Sequence, residues 1–396
     1  MPLRIGINAL YLVPGSVGGT EIYLRSLLAA FALVDEINEY YVYINSETDQ
    51  SLTPDSPRFH AIHCPVKARI RPFRIVFEQT GLPLMLSRDR IDVVLNPGYT
   101  APLLAYCPSV TVFHDLQHKR HPEFFRPFDL PFWNVLLALS AARSNRIIAV
   151  SGPTASDLAH YLPRAAAKTR IVPHGVDSEF FRIGTRRRGG IAPSAAGPYL
   201  LAVSTLHPHK NLERLLEAFQ CFRKSYPDYR LIVAGLKGFA TRRIERLAHD
   251  PGLRDSVELT GWIPRAKLFE LFEGAHAFVA TSLFEGFGLP VLEAMAAGIP
   301  IACSAIPAFE SLACQSVLRF NPLSVPDIAE AMKQITTNSA LRTRAAIDGP
   351  ARARDFDWKT TAETTLQELV SAATGDRVTR TDPKNIQTIA SPPAPR

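Results

Sequence analysis

What most limits the fold of this chain is a rhythm. Short apolar, β-branched runs alternate with longer stretches of helical period along most of its length, a pattern that builds βαβ units and therefore parallel sheets, an α/β fold. In the first half the expected strands are Arg4–Asn8, Tyr41–Asn45, Phe59–His63, Val93–Asn96, Val110–His114, Arg146–Val150 and Arg170–Val172. Residues 183–198 then break the rhythm with Gly, Pro and Ser around Arg186, Arg187 and Arg188, and read as a linker. The rhythm restarts with Tyr199–Val203, Leu231–Ala234, Val257–Leu259, Ala277–Ala280, Ile299–Cys303 and Val317–Phe320. The expectation is two doubly wound, Rossmann-like domains over residues 1–182 and 199–356, each taking ligands at the carboxyl ends of its strands. A last helix is expected over 357–373 and a disordered tail over 374–396.

Bulk properties exclude several classes. A chain of 396 residues exceeds the ~100–200 of one domain, and its 46% apolar and 20% charged residues are those of a protein with full cores. No apolar run reaches the ~18–20 residues of a membrane span, and Met1–Arg4 leads into a strand without the pattern of a secretory signal. Cys64, Cys107, Cys221, Cys303 and Cys314 show neither metal-ligand nor disulfide spacing, which fits a reducing, cytoplasmic setting; Cys107 and Cys303 read as packing residues. The net charge of +7 comes without any nucleic-acid motif, so no nucleic-acid partner is expected. The 186–188 cluster reads as solvated surface. The stretch Val66–Phe77 sets Lys67, Arg69, Arg71 and Arg74 among Ile70, Phe73, Ile75 and Val76, and has two readings: peripheral contact with a membrane at its cytoplasmic face, or a basic lining for an anionic acceptor.

Thr281–Pro300 carries the densest chemistry. A strand leads into a loop with Gly286 and Gly288, then a helix with Pro290 near its start and Gly298 past its end. Glycines admit close backbone approach, and a helix N-terminus offers N–H groups and partial positive charge, so a phosphate is well received there. Glu293 stands among Val291, Leu292, Ala294 and Met295, where an unpaired carboxylate is costly to bury. It and Glu285 can both face a ligand at that helix start; the plainer alternative is an exposed helix Glu and a loop Glu in a salt bridge. Upstream, Lys210 precedes a helix that Asn211 is placed to cap, and a cation there opposes the helix dipole, which argues for an anion. In the first half, Gly15, Gly18 and Gly19 form a loop after the first strand, with Thr20 as the expected cap, but they do not fit G-x-G-x-x-G. His114 and Asp115 end another strand. His118 and His121 follow, without the spacing of a compact metal site.

Glu285-Gly-Phe-Gly-Leu-Pro-Val-Leu-Glu293 resembles the E-x7-E motif of retaining GT-B glycosyltransferases, and the run on to Gly298-Ile-Pro300 is similar to glycosyltransferase family 4. The resemblance, spanning roughly residues 3–372, implies a GT-B fold of two Rossmann-like domains facing across a cleft, the last helix packing back on the first domain. It implies that Glu293 binds the nucleotide ribose, that Glu285 and the backbone of Gly286, Phe287, Gly288 and Leu289 hold sugar and diphosphate, and that Lys210 takes the diphosphate. The family's Arg beside that Lys is absent: Ser204-Thr205 stands in place of Gly-Arg, with His209 as a substitute clamp. Gly18 and Gly19 abut donor or acceptor, His114 lies beside the transferring sugar, and Trp262 and Ile263 flank the base. Catalytic roles thus fall to His114, Lys210 and Glu285. The implied partners are a nucleotide-diphosphate sugar, GDP-mannose or a UDP-sugar, and a glycan or lipid-linked acceptor, with retention of configuration and neither metal nor cofactor. Bacterial surface-polysaccharide and mannosyl transferases carry the nearest patterns. The alternative readings are a sugar-nucleotide 2-epimerase on the same fold and a non-catalytic binding protein.

Overall fold

In the computed structural model, residues 2–15, 18–189 and 197–375 are described, and the expected tail beyond 375 lies outside them. The chain divides into two compact units, one formed by Met1–Gly175 with Trp358 onward, the other by Val176–Asp357. The crossing therefore comes at 175/176, earlier than the expected linker at 183. Residues 183–188 complete a helix, Ser178–Arg188, that belongs to the second unit, while 190–196 lie outside the described residues. Within the 186–188 cluster, read as solvated surface, Arg186 and Arg188 are exposed, and the reading is corrected at Arg187 alone. Arg187 is half-buried and donates to the carbonyls of Phe272, Glu273 and Ala275 at 3.2, 2.6 and 2.8 Å, closing the end of helix Arg265–Gly274. Arg186 pairs with Glu179 and Glu273.

The first unit holds β1 (Arg4–Ala9), β2 (Glu39–Ile44), β3 (Phe59–His63), β4 (Val93–Asn96), β5 (Ser109–Phe113), β6 (Arg146–Ala149) and β7 (Thr169–Ile171) in one sheet ordered β3-β2-β1-β4-β5-β6-β7, every pairing parallel. The second holds β8 (Tyr199–Val203), β9 (Arg230–Ala234), β10 (Val257–Gly261), β11 (Ala277–Ala280), β12 (Ile301–Ser304) and β13 (Leu318–Phe320), ordered β10-β9-β8-β11-β12-β13 and likewise parallel. Central strands such as β5 (all buried) and β12 (all buried) read as continuous apolar runs because helices cover both faces. In each sheet the strand order reverses once, at β1/β4 and at β8/β11. A crevice opens beyond the carboxyl ends of two strands whose connections leave in opposite directions, the place where such sheets take ligands.

The closing helix, Trp358–Thr374, packs in the first unit against helix Gly19–Val34 and strands β4 to β6. Gly175 lies so close to the backbone of Trp358 that a Cβ would collide with it, and Thr361 donates to the Pro173 carbonyl at 2.8 Å. Cys107 and Cys303 are buried packing residues. No described helix is long and apolar enough to cross a membrane.

Candidate active site

At the β8/β11 crevice the loop after β8 ends in a short 3-10 turn, Pro208–Lys210, and the loop after β11 runs from Thr281 to Gly288. The two loops are stitched together: Leu283 N–H donates to the His209 carbonyl at 2.7 Å and the Thr281 hydroxyl to the Lys210 carbonyl at 3.0 Å. Thus fixed, Lys210 Nζ donates to Glu285 Oε1 at 2.6 Å, and Ser282 Oγ donates to the same oxygen at 2.7 Å. Both partners are largely buried, so the pair is weakly screened. An ammonium has three donors and Glu285 uses one, which leaves Lys210 able to take a further acceptor without giving up its carboxylate. Lys210, Glu285, Ser204, Thr281, Ser282, Pro290 and Phe309 line one recess.

Helix Leu289–Ala296 starts at this recess. Gly288 precedes it with φ +105°, where a side chain is strained, and a Cβ there would press on the Phe309 ring at 2.8 Å. No side chain caps this start and no acidic residue sits in its first turn, so its positive end is left for a ligand. Glu293 is buried, 3% exposed, and burial holds its carboxyl above the usual range; Arg265 works against that, donating from Nη1 to Glu293 Oε1 at 3.1 Å. The plainer alternative of an exposed Glu293 is thereby excluded. The two glutamates nonetheless have separate cations, Lys210 for Glu285 and Arg265 for Glu293. Arg265 also reaches Asp177 at 3.4 Å and lies over the rings of Phe180 and Phe269. It was missed in the sequence; its signal is a cation opening the helix that follows Trp262-Ile263-Pro264. Trp262 is 58% exposed and Ile263 partly buried.

One local expectation fails here. Asn211 occupies the cap position of helix Leu212–Arg223 but sits in the left-handed region with φ +57° and makes no cap bond. Its side chain instead donates to the Pro322 carbonyl at 2.7 Å and accepts from Arg214 at 2.9 Å, because tying down the far loop satisfies it better. His209 stacks on His207, ring centroids 5.8 Å apart.

In the first unit, His114 is buried at the end of β5. Its Nε2 lies 2.8 Å from the Pro97 carbonyl, which can only accept, so Nε2 carries the proton and Nδ1 is the basic nitrogen. Burial pushes its pKa down to about 4, which keeps the ring neutral near pH 7. Tyr23, Tyr99 and His174 pack around it with ring centroids 5.0, 5.3 and 5.5 Å away. Tyr99 holds φ +69°, a strained value for a bulky residue and a mark of an over-determined site. It too was missed, although Pro97-Gly98-Tyr99 directly follows β4. Asp115 accepts from the Gln117 N–H at 3.0 Å. Gly18 precedes helix Gly19–Val34 with φ +61° and no side-chain cap, so Thr20 lies inside the first turn and is not the cap; Ser16 and Val17 lie outside the described residues. A Cβ on Gly19 would meet nothing within 4 Å. His118 packs on Phe125 and His121 pairs with Glu123, and no described group of three ligating side chains could hold a metal.

Residues 17–180 match the family model described as Glycosyltransferase Family 4, and residues 189–352 the one described as Glycosyl transferases group 1. The chain is a family 4-like GT-B glycosyltransferase.

Among relatives of this glycosyltransferase, O-antigen chain mannosyltransferase B of Escherichia coli is 27% identical over 266 residues, 65% of this chain and 69% of that one. Serotype-specific mannosyltransferase WbdA of Escherichia coli is 27% identical over 317 residues; the match takes in 72% of this chain but only 38% of WbdA. The fold is shared with sucrose-phosphate synthase from Thermosynechococcus elongatus, TM-score 0.77 at 19% identity over 94% of this chain and 100% of the other. It is shared also with WaaG, a glycosyltransferase involved in lipopolysaccharide biosynthesis, TM-score 0.71 at 20% identity over 92% and 99%.

Proposed function

We propose that this glycosyltransferase moves a hexose, mannose foremost, from a nucleotide-diphosphate donor to a glycan or lipid-linked acceptor in polysaccharide assembly, with retention of configuration and no metal. The observation that carries this is the Lys210–Glu285 pair seated at the uncapped start of helix Leu289–Ala296. In the reaction the bond from the anomeric carbon to the phosphate oxygen breaks, a bond to an acceptor oxygen forms, and the acceptor hydroxyl gives up its proton. Negative charge builds on the departing diphosphate. Lys210 and the loop amides from Gly286 to Leu289 supply fixed positive dipoles there, which is often the largest catalytic contribution. Glu285 orients Lys210 and meets the sugar, Glu293 takes the ribose hydroxyls, Trp262 and Ile263 flank the base, and His114, Gly18 and Gly19 serve the transferring sugar and acceptor. Mannose is favoured by the relatives named as mannosyltransferases.

The test is a panel of GDP-mannose and UDP-sugars with candidate acceptors, followed by NMR. Transfer giving an α product from an α donor, unaltered by EDTA, is expected. A β product would overturn retention, a requirement for divalent ion would overturn metal-free catalysis, and epimerised nucleotide sugar formed without acceptor would favour the epimerase reading.

The same protein is proposed to work at the cytoplasmic face of a membrane. Phe73, Val76 and Leu84 form one exposed stripe on helix Arg71–Arg88, and Phe132, Val135 and Leu139 another on helix Leu130–Arg143, with Phe128 just before it. Arg71 lies over the Trp133 ring, which brings the two helices together, and exposed Lys67 and Arg69 stand nearby in the chain. Apolar side chains with cations at their rim match an anionic lipid surface.

A further inference from the structure

Of the four cations in the Val66–Phe77 stretch, Lys67, Arg69 and Arg71 are exposed, but Arg74 is buried, 8% exposed. It cannot belong to a solvated or membrane-facing charge cluster. Its Nε is sealed from solvent without a hydrogen-bond partner, and no described acceptor or carboxylate pairs with the guanidinium. Glu78 one turn on acts on the Arg74 charge but makes no hydrogen bond with it: its Oε1 accepts from Asn8 Nδ2 at 3.1 Å, and it bonds Thr100 as well. Arg74 also sits in the first turn of an 18-residue helix that starts without a side-chain cap, where the dipole disfavours a cation. A buried guanidinium whose N–H groups have no acceptor is unfavourable, even with a carboxylate one turn away, until an acceptor completes it.

Its surroundings say where that something would bind. Asn8 and Asn96, at the carboxyl ends of β1 and β4, are linked by Asn8 Nδ2 to Asn96 Oδ1 at 3.3 Å, and Asn8 holds Glu78. Tyr11, whose ring covers Gly98, is close enough to act on the Arg74 charge. Arg74 therefore stands at the β1/β4 crevice, the ligand edge of this sheet. Lys67, Arg69 and Arg71, exposed beside it in the chain, would raise the local concentration of anions.

We propose that Arg74 is the centre of an oxyanion site in the first unit, which receives a phosphate or carboxylate carried by the acceptor. A guanidinium offers a planar fork that matches either group with two parallel hydrogen bonds. Assignment to the acceptor rests on the glycosyltransferase reading; the oxyanion site itself does not.

Crystals of the full chain soaked in tungstate, with saturating GDP or UDP present, test the site. An anomalous peak within hydrogen-bond reach of the Arg74 Nη atoms is expected, lost in Arg74→Gln and weakened in Arg74→Lys. A wild-type map with no peak there overturns the proposal, whether or not the variants fold. Nucleotide density in the second unit of the same crystals tests the donor reading separately. In calorimetry at saturating nucleotide, phenyl phosphate and inorganic phosphate should both bind, each roughly tenfold more weakly to Arg74→Gln, as for one lost charge-assisted contact. Binding of inorganic phosphate alone would overturn the acceptor assignment, and undiminished binding by Arg74→Gln would overturn the site.

Discussion

The two crevices of this molecule solve opposite electrostatic problems. At β8/β11 the charges are present and already paired, Lys210 with Glu285 and Arg265 with Glu293. At β1/β4 and the neighbouring end of β5 the side chains are chiefly neutral: Asn8, Asn96, Tyr99 and a His114 kept uncharged by burial. The contrast teaches which half is built for a charged ligand. Paired cations keep their geometry without a ligand and need little reorganisation when a diphosphate arrives. Neutral donors and acceptors instead suit hydroxyl groups. The charged exceptions on that side are Arg74, Glu78 and Asp115; the two carboxylates have hydrogen-bond donors, and Arg74 Nε has no acceptor, which is why it calls for a ligand of its own.

The largest effect should come from breaking the charged half. Lys210→Ala is expected to lower kcat by roughly 10²–10³-fold at saturating donor, the range for a lost transition-state donor. Steady-state kinetics checks this, and unaltered turnover would reduce Lys210 to a partner of Glu285.

The neutral half should show itself through pH. Burial holds the folded-state pKa of His114 and His118 down to about 4, and that of His174 well below the ~6.5 of an unfolded chain. The folded state then binds fewer protons, so their contribution to stability is present above about 6.5 and lost as pH falls towards 4. Glu78 and Glu293, raised by burial, act in the opposite direction. The clean comparison is therefore a variant: His114→Asn should lose less thermal stability between pH 6.5 and 4 than the wild type. Parallel curves would mean that the buried ring is charged in the folded state.

A smaller effect is expected at the surface of the first unit. Wild-type protein should pellet with anionic vesicles at low salt and release at high salt, since each cation adds on the order of 1 kcal/mol. Phe132→Asp with Val135→Asp should stay in the supernatant. Wild-type protein that never pellets would remove the membrane from the account.

Much of this was legible in the sequence, for physical reasons. All thirteen strands among the described residues lie at or within two residues of where β-branched runs place them, because strands buried on both faces must be apolar throughout. The helix start at Gly288 was legible too, since glycine and proline mark it locally. What escaped depends on distant partners. The ion pair of Arg265 with Glu293 joins residues 28 apart, and nothing near either one announces it. Asn211 abandons its cap for a carbonyl 111 residues away. Arg74 was misread for a different reason. Reading Val66–Phe77 as one amphipathic strip hid the helical period from Arg71, which sets Arg74 on the buried face with Ile75, Glu78, Leu82 and Leu86.

The central claim is that the charged crevice of the second unit holds a nucleotide diphosphate, and calorimetry with GDP and UDP tests it most directly. Wild-type protein should bind one of the two, and Glu293→Gln, which keeps the shape of the side chain, should bind it roughly tenfold more weakly through loss of a charged acceptor for the ribose hydroxyls. Equal affinity of the two proteins would remove Glu293 from the ribose, and absence of any binding to the wild type would contradict the account of this site.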